Sequence, residues 1–236
     1  MATFVLIHGA YRGGWSWQRV RRLLQASGHE VFAPSLTGAG ERVHLNAETI
    51  SLTTWIEDVV KLLEYEDLRD VILVGHSQGG VVITAASEYA AERLARLVYV
   101  DAPVPEDGQA AIDLLPAAVR AQWRQSPPEP VSAPHPLSAG NGLSEADVQW
   151  INARLTPVPI VPSLQPMLLQ NPAALALPRS YFFCRDTPNF FPSAYTRQRF
   201  DETGVAYQVL EAGHDVILSH PQLVAELLMR IVKAAN

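Results

Sequence analysis

A serine with a glycine two residues away on either side stands at Gly75-His76-Ser77-Gln78-Gly79. The segment before it, Val71 to Val74, reads as a buried strand, and Gly79 to Ala91 reads as a helix, which is the setting the G-x-S-x-G pattern needs. A sharp strand-to-helix turn strains the serine backbone and lifts its hydroxyl clear of the sheet, and side chains at the two glycine positions would clash. A hydroxyl is a poor nucleophile at neutral pH and needs a base within hydrogen-bond reach. His214, in Ala212-Gly213-His214, follows the last expected strand and precedes the terminal helix, at the same sheet edge as Ser77. His29, His44, His135 and His220 lack that placing and read as structural.

The base needs a carboxylate to hold its tautomer and stabilise the imidazolium. Asp101 ends the strand after the nucleophile's, and Asp186 follows Cys184 at the end of the next strand, so both compete; Asp101 is favoured and Asp186 is the alternative acid. Acyl transfer also needs two N–H donors aimed at the developing oxyanion. The backbones of Gln78, at the start of the helix after the serine, and Ala10, in the loop after the first strand, are the candidates for this hole. His8 would then shape that loop rather than take part in the chemistry.

These residues must be positioned by a sheet. Phe4 to Ile7 is a short apolar run, as expected of a strand covered on both faces, and Trp15 to Ala26 is amphipathic with a terminator at Gly28. Val31 to Ala33 forms a strand, and Thr54 with Glu57 makes a capping-box pattern ahead of Ile56, Val59, Val60 and Leu63. Leu97 to Val100 returns to strand. After Leu177 the rhythm resumes with strand Tyr181 to Cys184, helix Ala194 to Phe200, strand Tyr207 to Leu210 and a helix opened by Pro221. Such alternation predicts an α/β fold with a mostly parallel sheet flanked by helices.

Between the two halves, residues 103–178 break the rhythm with Pro127, Pro128, Pro130, Pro134 and Pro136 and with helical pieces near Ile112 to Gln125 and Glu145 to Leu155. Trp123, Trp150, Leu164, Met167 and Leu168 carry too much apolar surface for a solvated linker. The segment is therefore expected to be a helical cap over the carboxyl edge of a single-domain core made of residues 1–102 and 179–236.

The 236 residues, 48% hydrophobic and 18% charged, suit one such domain. A net charge of −6 disfavours nucleic acid as a partner. The opening residues run straight into a strand without a secretory pattern, and no apolar run nears the ~18 residues that cross a bilayer. The expectation is a cytoplasmic protein without a membrane partner, a homodimer being left open. The single cysteine, Cys184, reads as a small buried strand residue, and neither a cofactor nor a metal is called for.

Taken together, His8-Gly9-Ala10, Gly14-Trp15-Ser16-Trp17, Gly75-His76-Ser77-Gln78-Gly79-Gly80 and Gly213-His214 resemble the plant methylesterase and hydroxynitrile lyase family and its bacterial esterase relatives, within the α/β-hydrolase superfamily. The resemblance implies an α/β-hydrolase fold and a Ser-His-Asp hydrolase with an oxyanion hole at Ala10 and Gln78, and the apolar residues of the cap add the expectation of a small, largely apolar carboxylic ester cleaved through an acyl-enzyme on Ser77. The plant enzymes usually place their acid after a Cys-x-Glu-Asp-like turn, where this chain has Cys184-Arg185-Asp186, and tend to have a small residue where Asp101 stands. An acid at Asp101 is similar to the arrangement in some haloalkane dehalogenases. The lyase branch carries threonine in place of Gly9 and lysine in place of Asp215, and Asp215 is expected to repel cyanide. A lactonase, a thioesterase, a lyase-like enzyme and a small-molecule receptor that keeps the triad remain the alternatives to an esterase.

Overall fold

The computed structural model describes residues 1–45, 47–125 and 131–234. In chain order its main elements are β1 (Thr3–Ile7), α1 (Gln18–Ala26), β2 (Glu30–Phe32), α2 (Leu52–Tyr65), β3 (Val71–His76), α3 (Gly79–Ala90) and β4 (Leu94–Val100). The inserted stretch follows with α4 (Ala117–Gln125), β5 (Val131–Ser132), α5 (Glu145–Asn152), β6 (Val158–Pro159), α6 (Val161–Leu164) and α7 (Pro172–Leu175). The core then closes with β7 (Arg179–Cys184), α8 (Pro192–Thr203), β8 (Gln208–Leu210), α9 (Val216–Ser219) and α10 (Pro221–Ala234).

Six of the strands form a parallel sheet in the order β2-β1-β3-β4-β7-β8, and β5 and β6 pair antiparallel apart from it. Successive strand residues face opposite sides of a sheet, and the two cores divide accordingly. Phe4, Leu6, Ile72, Val74, Val98, Val100 and Phe182 pack on one face with Val20 and Leu24 of α1 and Val224 and Leu228 of α10. Val5, Ile7, Leu73, Leu97, Tyr99 and Phe183 pack on the other with Trp55 and Val59 of α2, Val82 and Ile83 of α3 and Phe200 of α8. Burial on both sides explains why the strands read as continuous apolar runs.

Two local expectations shift. The segment expected as one helix from Trp15 opens with a 3-10 turn at Gly14–Trp17 before α1 begins. The capping box of α2 lies three residues earlier than expected: Ser51 is the cap and Thr54, not Glu57, closes the box. Thr54 Oγ1 accepts from the Ser51 N–H at 3.2 Å while Ser51 Oγ accepts from the Thr54 N–H at 3.3 Å.

The inserted stretch contributes Leu143 and Ile151 to the first core and Val158 and Ile160 to the second. Met167 is buried in a third cluster with Leu52, Ile56, Val81 and Ala85. Trp150 is partly buried edge-on to Trp15, whereas Leu164 and Leu168 are exposed. Pro127, Pro128, Pro130 and the side chain of Trp123 lie outside the described residues. Among the described residues no helix is long and apolar enough to cross a membrane.

Candidate active site

Parallel register brings the carboxyl ends of the strands to one edge, with Ile7 opposite Gly75, His76 opposite Val100, Val100 opposite Phe182 and Cys184 opposite Leu210. Ala10, Ser77, Gln78, Asp101, Asp186 and His214 all follow strand ends there. Ser77 follows β3 at φ +53°, a left-handed conformation that a non-glycine residue adopts only under constraint. The constraint is close packing: a Cβ at Gly75 would lie 2.6 Å from the Gly79 backbone, and one at Gly79 would lie 2.5 Å from the Ile7 carbonyl.

His214 Nε2 lies 2.9 Å from Ser77 Oγ, and its Nδ1 lies 2.5 Å from Asp101 Oδ2. Asp101 is 1% exposed and itself has φ +44°. Burial alone would raise its pKa; hydrogen bonds from His214, Thr187 and the Cys184 N–H reverse that and hold it below the usual carboxylate value. Thr187 Oγ1 donates to Asp101 Oδ2 at 2.6 Å and the Cys184 N–H to Oδ1 at 3.0 Å, so both oxygens are fixed. Asp186 is not brought to His214: it is exposed, and its N–H donates to the Ala212 carbonyl. Its neighbour Thr187 reaches the site instead.

His8 does shape the first loop. It is buried, and desolvation lowers its pKa to about 4, so the ring is neutral at pH 7. Nε2 accepts from the Leu36 N–H at 3.0 Å, which leaves the proton on Nδ1 to donate to the Gly9 carbonyl at 2.8 Å. In a trans peptide the C=O and the following N–H point in opposite directions, so turning the Gly9 carbonyl toward His8 turns the Ala10 N–H away from it. Neither the Ala10 nor the Gln78 N–H has an acceptor among the described residues.

Three features of the site escaped the sequence. His76 is fully buried, with its pKa lowered to about 3 by desolvation, and its Nε2–H donates to the His214 carbonyl at 2.8 Å. Thr187 carried no motif. Arg12 forms an ion pair with Asp215, so the expected repulsion of an anion by Asp215 is corrected: the carboxylate is neutralised. Crowding at Gly9 is a separate obstacle to the lyase pattern, since a Cβ there would lie 2.7 Å from Ser77 Cβ.

The inserted stretch touches each of these loops. The Thr156 N–H donates to the Tyr11 carbonyl at 3.0 Å, Gln78 Nε2 donates to Ser163 Oγ at 2.9 Å, and a Cβ on Gly213 would meet Asn141 Cβ at 2.9 Å. Phe191, just before α8, lays its ring 4.4 Å from that of His214. A cavity of about 460 Å³ reaches Asp101 along α8, lined by Thr187, Ser193 and Arg197, but neither Ser77 nor His214 lines it. Cys184 is buried, and desolvation raises its pKa, which removes it as a nucleophile. Among the described residues no group of three His, Cys, Asp or Glu side chains is placed to hold a metal.

The sequence matches the alpha/beta hydrolase family over residues 4–227, and the chain belongs to that family. It is 36% identical to a carbendazim hydrolyzing esterase of Nocardioides sp. (strain SG-4G) over 97% of this chain and 98% of that one. Among solved structures, an extracellular alpha/beta-hydrolase from a Paenibacillus species, described as sharing structural and functional homology with tobacco salicylic acid binding protein 2, superposes with a TM-score of 0.82 at 26% identity over 98% of both chains. A methylesterase from Arabidopsis superposes with a TM-score of 0.81 at 25% identity over 99% of both chains. Family and relatives together make the protein a carboxylic ester hydrolase.

Proposed function

We propose that the protein hydrolyses a small, largely apolar carboxylic ester through an acyl-enzyme on Ser77. The observation that carries this reading is the run of hydrogen bonds Ser77–His214–Asp101 beside two N–H groups without an acceptor. Ser77 Oγ attacks the ester carbonyl as His214 Nε2 takes its proton, and the carbonyl oxygen, now an oxyanion, is held by the Ala10 and Gln78 N–H groups. Collapse of the tetrahedral species breaks the bond to the alkoxy oxygen, which leaves as an alcohol with the proton from His214. Water, deprotonated by the same imidazole, then attacks the acyl-enzyme, and the acid is released as Ser77 regains its proton. Asp101 keeps the Nδ1–H tautomer and stabilises the imidazolium.

The Phe191 ring against His214 supports an apolar group near the scissile bond. The methylesterase and esterase relatives support methyl esters as the first to try. Purified protein assayed on methyl, aryl and thio esters and on lactones should turn over at least one ester many times, and Ser77→Ala should abolish it. Turnover that stalls near one equivalent would replace the esterase by a ligand receptor, and an active Ser77→Ala protein would remove the nucleophile.

A further inference from the structure

The oxyanion loop follows β1 and the histidine loop follows β8, with β3, β4 and β7 between them in the sheet. No ladder hydrogen bond therefore sets Ala10 against His214. One side chain spans the gap. Arg12, 8% exposed, donates from Nη1 to the Ala10 carbonyl at 3.1 Å and from Nη2 to the Asp215 carboxylate. Asp215 directly follows His214, whose carbonyl is held from β3 by His76. The guanidinium thus grips one loop by its backbone and the other by a carboxylate, a fork that a lysine could not reproduce.

Stability is a weak reason for such a pair, because buried ion pairs exchanged for apolar groups of similar volume are often neutral or stabilising. Its position supplies the better reason. We propose that Arg12 and Asp215 are positioning residues that hold the oxyanion-donor loop and the histidine loop at the spacing acyl transfer requires. This rests on the hydrolase reading above. The groups facing the imidazole are Asp101 beyond β4, neutral His76 on β3, and the Arg12–Asp215 pair, whose charges cancel. Burial would raise the Asp215 pKa, but Arg12, with His214 and His76, holds it below the usual carboxylate value, so the pair stays charged at neutral pH.

The test compares R12M, D215N and the apolar double variant R12M/D215L on p-nitrophenyl acetate, with melting curves and with rates of Ser77 labelling by a fluorophosphonate. Misplacing a catalytic group by about 1 Å costs on the order of 10²-fold, so each single variant should lose ten- to a hundredfold in kcat with KM changed by less than about threefold. The double variant should melt near wild type and keep the low kcat. A kcat that stays low while KM and the melting temperature match wild type is what a purely structural pair would not produce.

Wild-type kcat in the double variant, or singles whose loss lies in KM rather than in kcat, would overturn the proposal. If the singles fail to fold, the kcat of the folded double variant decides alone. Wild-type protein that is labelled at Ser77 yet turns over no ester would sink the hydrolase reading instead, and labelling rates would still test the pair. Wild-type protein that neither labels nor hydrolyses would end both.

Discussion

Replacing Asp101 by Asn changes one heavy atom at a site whose neighbours are all fixed. Asn tolerates the left-handed backbone that Asp101 adopts at φ +44°, so the turn after β4 should survive. The Cys184 N–H needs an acceptor and will keep the Asn carbonyl oxygen where Oδ1 stands. The amide nitrogen then occupies the place of Oδ2, 2.5 Å from His214 Nδ1 and 2.6 Å from Thr187 Oγ1. An amide nitrogen donates only, so Nδ1 must become the acceptor and the imidazole proton moves to Nε2. Nε2 can then no longer take the proton of Ser77. The expected loss in kcat/KM is about 10⁴-fold, or roughly 5 kcal/mol of transition-state stabilisation. Thermal melting should show a folded protein. Asp186→Asn, at an exposed side chain, should stay within about threefold of wild type, as surface changes away from special features do. A D186N protein that loses several orders of magnitude, beside a D101N protein that does not, would refute the assignment of the acid and the tautomer reasoning with it.

Thr187→Ala removes one donor to the charged Asp101 oxygen, a bond worth about 1.5 to 3 kcal/mol; kcat on p-nitrophenyl acetate should fall about tenfold, and Thr187→Ser should restore most of it. Gly9→Ala places a methyl group 2.7 Å from Ser77 Cβ and 3.2 Å from its Oγ, so kcat should drop on the order of 10²-fold, and an unimpaired G9A enzyme would show that the loop is not held as described. His8 and His76 have folded-state pKa values lowered to about 4 and about 3, below their unfolded value of 6.5. The unfolded chain therefore binds more protons below pH 6.5, and the stability these neutral rings confer, complete above that pH, is lost as the pH falls toward 4. At ~1.4 kcal/mol per pH unit for each, the loss is on the order of 4 kcal/mol by pH 5. Urea midpoints at pH 7.5 and pH 5 measure it directly, and equal midpoints would mean that both rings are protonated or hydrated in the native state.

The sheet was legible because burial on both faces leaves an apolar run that needs no partner to be recognised, as in β1, β3 and β4. The turn at Ser77 was legible because its glycines are required by contacts within a few residues, Gly75 against Gly79. Caps are harder. Thr54-x-x-Glu57 fits the usual box pattern and Ser51-x-x-Thr54 does not, yet the helix start, set by packing of Leu52 and Trp55, selects the second. The Arg12–Asp215 pair joins residues 203 apart in sequence, and neither side chain belongs to a pattern that would announce the other. The same holds for His76, whose place inside the serine motif hides that its partner is the backbone of His214.

The ambiguity over the acid has a physical cause. β4 and β7 are adjacent, with Val100 opposite Phe182, so the residues after them emerge about one strand spacing apart, roughly 4.8 Å. A carboxylate on either turn can meet an imidazole coming from the far side, and periodicity alone does not distinguish the two seats. What distinguishes them is the surroundings. Asp101 takes a left-handed backbone that points its side chain under β7, where the Cys184 N–H and the Thr187 hydroxyl wait as donors. The turn after β7 keeps a donor, Thr187, beside the imidazole and leaves its own carboxylate, Asp186, to solvent. An acid placed on that turn in this chain would have to displace Thr187 and strand the buried Asp101 charge, so exchanging the roles requires changes at positions 101 and 187 together. Asp101→Ala combined with Thr187→Asp tests this: the new carboxylate should recover at least tenfold of the activity that D101A loses, and no recovery would mean that the two turns are not interchangeable.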